Sequence, residues 1–497
     1  MTIRIRTGTA GLLALLLLIP LGVQAHSFGV VYTLPVPFWL YAWGAAATLL
    51  LSFVVVGLFA QGGTEGAAAP AHVAPAAAGH YRWSLPAAVL WLLRGLSLAA
   101  LLLCIATGFF GTPNPYGNFN MTWFWILFVL GFAYLTALIG NLYALINPWH
   151  SLALLIGRLW PRYYQGCLRA PAWLGYWPAV LLYFGFIWLE LFGGTKPYTL
   201  SLALSIYSLI NFLGVLLFGA RYWFRHAELF GVFLGLIARM APVEFAQDQT
   251  ADAQDRRLRL RRPCSGLLDA PGKQLSLLVF VLFMLSSTAF DGLHEAQAWA
   301  SLYWLQFYPA VLAEFVGSNP IAAWPTLREI WWYWQSFWLA ASPWIYLGFY
   351  LTGIAALQRI AGLRGQLLPL AMRYLYSLLP IVLVYHITHY YTLIQTQGIK
   401  ILGLVSDPFG LGWNLFGTAG QYLRSNVPDT ATVWHVQVGL IVAGHVLSVY
   451  IAHLIALRQF GDRRRAALSQ IPMLVLMVGF TVAGLWILSL PLGAASP

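Results

Sequence analysis

Charged residues and cysteines are both scarce in this chain of 497 residues. Asp, Glu, Lys and Arg make up only 8% of it, too little for the surfaces of several soluble domains. The three cysteines, Cys104, Cys167 and Cys264, show no CxxC or zinc-ribbon spacing, so we expect free thiols and no structural disulfide. There is also no GxSxG, P-loop or GxGxxG motif in a strand–helix context, so serine-hydrolase, nucleotide and dinucleotide functions have no support.

Apolar residues dominate instead. They make up 60% of the sequence, and the mean hydropathy is +0.73, which is typical of a polytopic membrane protein. The sequence predicts an all-α transmembrane bundle with ten spans of about 20 residues. These are 37–59, 87–110, 122–145, 174–194, 199–219, 274–293, 335–358, 369–395, 432–458 and 470–491. We expect segment 226–241 to lie at the membrane interface, and the aromatic stretch 300–325 to be re-entrant or interfacial.

The N-terminus has the form of a secretory signal. Arg4 and Arg6 precede an apolar core, and "VQA" precedes His26, which predicts a signal peptide over residues 1–25. An uncleaved first helix is the alternative. Residues 26–497 then form a single membrane domain. As a mature N-terminus, His26 could chelate copper through its imidazole and α-amino groups.

Basic residues orient the spans. If residue 26 is outside, the clusters "RRLRLRR" (256–262) and "RRR" (463–465) both lie inside, as the positive-inside rule requires. This predicts a multi-pass protein of the cell inner membrane with a periplasmic mature N-terminus. It also makes the Ala/Pro-rich segment 61–80 a flexible cytoplasmic linker and 220–273 a basic cytoplasmic loop. We therefore interpret the net charge of +12 as a topology signal, not as a sign of nucleic-acid binding.

Two histidines lie in an otherwise apolar span, in "YHITHYYTLIQTQG" (385–398). On a helix, His386 and His389 are about 60° apart in azimuth and about 4.5 Å apart along the axis. Both rings can therefore address one point. Polar rings at membrane depth are costly unless they bind something.

The predicted topology brings further ionisable residues to the same outward side. Glu190, Asp291, His294 and His435 lie at the outward ends of their spans, and His445 lies below them. Because histidine with carboxylate is a ligand set for Zn²⁺ and similar divalent ions, we predict His386, His389, His445 and Asp291 as metal ligands. Asp291, Glu190 and His435 are the predicted catalytic residues, since a carboxylate or imidazole beside a bound ion can act as a general base.

Structural roles compete with each of these functions. A lone intramembrane histidine such as His453 commonly caps a carbonyl or hydroxyl group. Asp291 could cap a helix end, and Glu190 could pair with Lys196. Asn147, in "NLYALINPW", could end a helix before Pro148 or form a hydrogen bond between helices.

Several segments resemble a known family. They are "LPVPFWLYAWGAAATLLLSFVVVGL", "NLYALINPW", "YWPAVLLYFGFIWLEL", "FGVFLGLIARMAP", "STAFDGL", "HITHYYTLIQTQG" and "GHVLSVYIAH". In this order, over about residues 26 to 458, the sequence resembles the polytopic bacterial membrane proteins called fenitrothion hydrolases. The resemblance implies hydrolysis of organophosphorus triesters at the cell membrane. By motif, it points to Asp291, to His389 with His386, and to His445 and His453.

Two other functions stay open at this point. A transporter or an ion or proton channel could use the same histidines and carboxylates as its pathway. A redox subunit could hold a b-type haem between His386 or His389 and His445, or could bind copper. The expected partners are membrane lipid and a small hydrophobic substrate. A second subunit is left open, and no nucleic acid is expected.

Overall fold

The computed structural model describes residues 37–59, 80–82, 86–194, 196–247, 256–420, 429–460 and 462–490. The predicted signal peptide, His26 and nearly all of the predicted linker 61–80 lie outside these ranges. The labelled helices are α1 Phe38–Phe59, α2 Ala87–Phe110, α3 Phe119–Ile139, α4 Pro148–Leu159, α5 Trp177–Phe192, α6 Pro197–Phe218, α7 Leu229–Ile237, α8 Leu275–His294, α9 Trp324–Ile360, α10 Leu367–His389, α11 Tyr391–Gln397, α12 Thr430–Phe460 and α13 Arg463–Ser489.

Shorter helical segments and three strands complete the described fold. The shorter helical segments are Tyr143–Ile146, Pro161–Gln165, Ala220–Tyr222, Trp223–Ala227, Ala238–Met240, Ser265–Leu268, Gln297–Ser301, Leu302–Leu312, Ala313–Val316, Gly398–Lys400 and Ile401–Leu404. The strands are β1 His80–Arg82, β2 Val243–Gln247 and β3 Arg256–Leu260. They form an antiparallel sheet in the order β1-β3-β2, so the predicted basic loop 220–273 contains helices and a hairpin.

Nine of the described helices are long and apolar enough to cross a membrane: α1 to α3, α6, α8 to α10, α12 and α13. The predicted all-α polytopic bundle is confirmed. The one remaining predicted span, 174–194, forms the shorter helix α5, which has 16 residues. At 1.5 Å per residue, α5 is about 24 Å long, short of a hydrocarbon core of about 30 Å.

Burial separates the centre of the bundle from its periphery. In the most apolar 18-residue stretch of α8, 78% of the residues are buried, compared with 11% in the corresponding stretch of α1. α8 packs against α5, α9 and α10. The outer helices expose large apolar side chains, as expected for surfaces that face lipid.

The prediction that segment 226–241 lies at the membrane interface is wrong. Every residue of α7 except its two glycines is buried. The helix is apolar on all sides, which suits a helix surrounded by protein better than one at an interface. It lies in the core against α3, α5 and α10.

Glu228 fixes the start of α7. Its carboxylate accepts hydrogen bonds from the backbone N–H groups of Phe230 and Gly231, at 3.1 and 2.7 Å, and so caps the helix. It also accepts from Tyr143 Oη at 3.1 Å, Tyr207 Oη at 2.5 Å and Asn147 Nδ2 at 3.1 Å. Burial raises the pKa of Glu228, while the hydrogen bonds from Tyr207, Gly231, Tyr143 and Phe230 act in the opposite direction.

Asn147 directly follows the short helical segment Tyr143–Ile146, which ends before Pro148 as predicted. Its Oδ1 accepts from the backbone N–H of His150 at 3.0 Å and caps α4, and its Nδ2 donates to Glu228 from another part of the chain. The segments "NLYALINPW" and "FGVFLGLIARMAP" thus meet at the buried carboxylate of Glu228. This carboxylate holds α7 in place, and α7 forms one wall of the candidate site.

Candidate functional site

Three helix ends bring the candidate side chains together. Glu190 lies in the last turn of α5, Asp291 in the last turn of α8, and His389 is the last residue of α10. Tyr390 follows at the break between α10 and α11, where the backbone leaves helical geometry. The structure therefore brings together Glu190, Asp291 and His389, which the predicted topology had only placed at similar depth.

A short hydrogen-bond network connects these side chains. His389 Nε2 lies 2.6 Å from Asp291 Oδ2. The Tyr390 hydroxyl lies 2.6 Å from Glu190 Oε1 and 3.2 Å from Asp291 Oδ2. A carboxylate bonded to one ring nitrogen fixes the tautomer and orientation of a histidine. The network is thus a preorganised acid–base group, and Asp291 is only 7% exposed.

Tyr390 is a site residue that the sequence analysis missed. The rings of His386 and His389 both pack against it, with centroids 5.2 and 4.7 Å away. The two histidines thus share a neighbour, but their nitrogens have different environments. His389 faces Asp291, whereas His386 Nδ1 is buried without a hydrogen-bond partner among the described residues. The sequence did contain a signal for Tyr390, because residues 386 and 390 are four apart, a spacing that places both side chains on one face of a helix.

The network borders a small cavity with aromatic walls. The cavity has about 30 Å³ of space open to the centre of a water molecule, enough for one or two waters. Its polar lining includes Glu190, Asp291, His386 and Tyr390. The aromatic lining residues are Phe128, Tyr183, Phe186, Phe230 and Phe233. The site is therefore a water-sized cavity with mainly aromatic and aliphatic walls and a few polar side chains in its lining.

A π-helical segment, Thr122–Gly131 in α3, forms part of the cavity wall through Phe128 and Val129. π-Helical turns are rare and occur frequently at functional sites. Tyr183 and Ser287, also at the cavity, share a hydrogen bond of 3.0 Å. Neither residue was singled out from the sequence.

His294 extends the site toward the end of α8. Its Nδ1 donates to the backbone carbonyl of Asp291 at 2.6 Å, and its ring packs against Phe192 and Phe290. Among the described residues, Asp291, His294 and Glu295 form one group whose ligand atoms lie within 4.8 Å of one another. These donor types suit a divalent cation such as Zn²⁺. Asp291 is the one member of the predicted ligand set in this group.

The structure does not bring His435 and His445 to this network. His435 is exposed; its Nδ1 donates to the Ala431 carbonyl at 2.7 Å, and its Nε2 lies 3.3 Å from Tyr41 Oη. His445 is fully buried, and its Nδ1 donates to the Ile441 carbonyl at 2.8 Å. Each ring therefore donates a hydrogen bond to a carbonyl group of its own helix, which is the structural role expected for a lone histidine within a span.

Direct contact between α10 and α12 gives the haem hypothesis no support. A Cβ atom at Gly444, next to His445, would lie 2.3 Å from Val384 Cγ2 and 3.1 Å from the Pro380 carbonyl oxygen. The two helices therefore touch at the level of Gly444. His453 lies elsewhere on α12, 3.5 Å from Gln470 Nε2.

Comparison of the chain with protein-family models, curated proteins and solved structures finds no match. Functional assignment therefore depends on the geometry of the site and on the motifs quoted above.

Proposed function

We propose that this protein is a membrane-bound hydrolase of organophosphorus triesters of the fenitrothion type. The observation that carries the proposal is the network of His389, Asp291, Tyr390 and Glu190 beside a water-sized, aromatic-walled cavity. The segments that resemble fenitrothion hydrolases supply its members: "WLEL" supplies Glu190, "FDGL" supplies Asp291, and "HITHY" supplies the rest. A neutral aryl triester partitions into lipid and would meet aromatic side chains here.

The cavity side chains supply the parts of a hydrolytic reaction. Water in the cavity attacks phosphorus, and one of its protons passes to Asp291, whose orientation His389 fixes. A new P–O bond forms, the P–O bond to the aryl group breaks, and the nitrophenolate leaves with the electron pair. The second water proton stays on the acid product. Tyr390, whose hydroxyl Glu190 holds in place as an acceptor, donates a hydrogen bond where charge develops on the phosphoryl group, a contribution that is large in a dry site.

A divalent cation fits this scheme through Asp291, His294 and Glu295, whose ligand atoms lie within 4.8 Å of one another. When bound, such an ion would polarise the phosphoryl or thiophosphoryl group as a Lewis acid. Elemental analysis of the purified protein, before and after dialysis against a chelator, tests whether an ion is bound.

Placement in the cell belongs to the same proposal. The positive-inside pattern supports the cell inner membrane, with the mature N-terminus and the site on the periplasmic side. Lipid is then the immediate partner, and the substrate enters laterally. Because the cavity holds only one or two waters, entry of a triester requires the aromatic wall to move apart.

Release of nitrophenolate from a dialkyl nitrophenyl thiophosphate tests the hydrolase. Purified protein in detergent should show turnover, and His389→Ala should reduce the rate by about 100-fold or more, the usual contribution of a positioned acid–base group. Glu190→Gln should also reduce it, whereas Glu314→Gln, at an exposed carboxylate, should not. Equal rates in wild type and His389→Ala, with unchanged helical circular dichroism, would refute the proposal.

A transporter or channel for protons or small cations is the second candidate. The cavity volume favours it, because about 30 Å³ suits water or an ion without any opening of the bundle. Uptake of protons or divalent cations into proteoliposomes separates the two candidates. Uptake abolished by Glu190→Gln, without nitrophenolate release, would support the transporter.

A further inference from the structure

Two arginines flank Trp91 at the end of the bundle opposite to the candidate site. The guanidinium carbons of Arg94, in α2, and Arg158, in the last turn of α4, each lie 4.8 Å from the centroid of the Trp91 ring. The two carbons are therefore no more than twice that distance apart, close enough for one anionic group to interact with both. Cation–π attraction holds both guanidinium groups beside the same indole.

The directions of the helices place this pair near a membrane surface. α6 begins shortly after the end of α5 that carries Glu190, and the turn that follows α4 contacts the other end of α6. There the backbone N–H of Cys167 donates to the Leu216 carbonyl at 2.9 Å. α4 itself has 12 residues and is about 18 Å long, too short to cross the hydrocarbon core.

The helices around Arg158 contain no carboxylate. Between Glu65 and Glu190 the sequence has no Asp or Glu. α4 packs mainly against α2, α6 and the short helical segment that follows it, all of which lack acidic residues. Glu228 contacts α4 through its N-cap residue, about 15 Å along the axis from Arg158. Among the described residues, no ion pair involves Arg158, so its charge calls for an anion from outside the chain.

Exposed apolar side chains lie next to the arginines. Leu159, which follows Arg158, is 91% exposed, and Leu155, Trp160 and Leu92 are also exposed. A short helix with exposed leucines and arginine is typical of the membrane interface, where indole rings favour the headgroup layer. A small anion in water would gain nothing from these leucines, whereas the acyl chains of a lipid would pack against them.

We propose that Arg158, Arg94 and Trp91 form a binding site for the phosphate group of an anionic phospholipid. Guanidinium groups match phosphate oxygens in charge and in hydrogen-bond geometry, and basic pockets between transmembrane helices can bind anionic headgroups. Exposed Arg158 contacts the phosphate group. Arg94 is 7% exposed, and its Nε donates to the Leu145 carbonyl at 3.0 Å, so it is held in place and adds positive charge behind Trp91. The site is separate from the cavity and does not depend on the reaction proposed for it.

Native mass spectrometry of the purified full-length protein in detergent tests the site. The protein is titrated with phosphatidylglycerol, which is anionic, or with phosphatidylcholine of the same acyl chains, which is zwitterionic. We expect wild type to bind one phosphatidylglycerol more tightly than phosphatidylcholine. Arg158→Gln should weaken this binding about fivefold, the contribution of one arginine near an anionic lipid surface. Arg158→Lys keeps the charge and should weaken it less.

Arg364→Gln is the matched control, because Arg364 is exposed in the loop that joins α9 to α10 at the same end of the bundle. It should leave the binding of phosphatidylglycerol unchanged. Equal affinities of wild type for the two lipids would overturn the proposal, and so would equal losses in Arg158→Gln and Arg364→Gln. Displacement of the lipid by inorganic phosphate would show that the site takes a free anion. If Arg158→Gln fails to fold, Arg158→Met, which keeps the length of the side chain, takes its place.

Discussion

Replacing Asp291 by Asn should reveal how much the buried pair contributes to stability. The substitution preserves the shape of the side chain but removes the charge that His389 contacts at 2.6 Å. Breaking a buried ion pair by removing one partner typically costs about 3–5 kcal/mol. Because Asn can still form a neutral hydrogen bond, we expect the lower end, about 3 kcal/mol, which is more than 100-fold in the unfolding equilibrium.

Asp269→Asn is the matched control. Asp269 pairs with Arg239 at 3.2 Å, but its side chain is 57% exposed, compared with 10% for Asp291. Exposed ion pairs contribute at most about 1 kcal/mol, so the same chemical change should cost little there. Equilibrium unfolding in mixed micelles, titrated with sodium dodecyl sulfate, measures both free energies. Equal losses in the two variants would refute the conclusion that burial strengthens the pair.

Two further predictions concern the scaffold and the thiols. Glu228→Ala should lower the free energy of unfolding by about 3 kcal/mol or more, since it leaves buried Tyr and Asn donors unsatisfied. In the control Glu244→Ala, the lost carboxylate is a 38% exposed partner of Arg261, so the free energy of unfolding should fall by less than about 1 kcal/mol. Similar losses in the two variants would contradict the structural role of Glu228. In timed alkylation followed by mass spectrometry at neutral pH, exposed Cys167 should react first and buried Cys104 last. Cys264 should react slowly at neutral pH, because burial raises the pKa of its thiol and reduces the thiolate fraction, and its rate should increase as the pH rises. Equal rates for all three cysteines would refute the described burial.

The sequence predicted where the helices lie along the chain better than it predicted which helices are neighbours. Hydrophobic length located the spans, because the bilayer requires continuous apolar helices. Loop charges placed Glu190, Asp291, His389 and His435 at one end of their helices, but they carry no information on which helices are neighbours. His435 consequently faces Tyr41 and not the network. Cys104, Cys167 and Cys264 are free thiols, as predicted.

Packing inside the protein was harder to anticipate. α7 is short and apolar, a pattern that fits both an interfacial helix and a helix enclosed by protein. Its enclosure depends on Glu228, whose five donors come from three separate parts of the chain. Tyr390 was overlooked for a related reason. A tyrosine at the end of an aromatic-rich span usually marks the membrane interface, and only the tertiary structure shows its hydroxyl between two carboxyl groups.

A double-mutant cycle on Asp291 and His389 tests most directly whether these side chains act as one unit. The two single variants, Asp291→Asn and His389→Asn, and the double variant are compared with wild type for nitrophenolate release and for unfolding free energy. Because the pair is in contact, the double variant should be no worse than the more damaged single variant, a departure from additivity of about 1–3 kcal/mol. Additive losses within about 0.5 kcal/mol would show that the two residues act independently and would contradict the account.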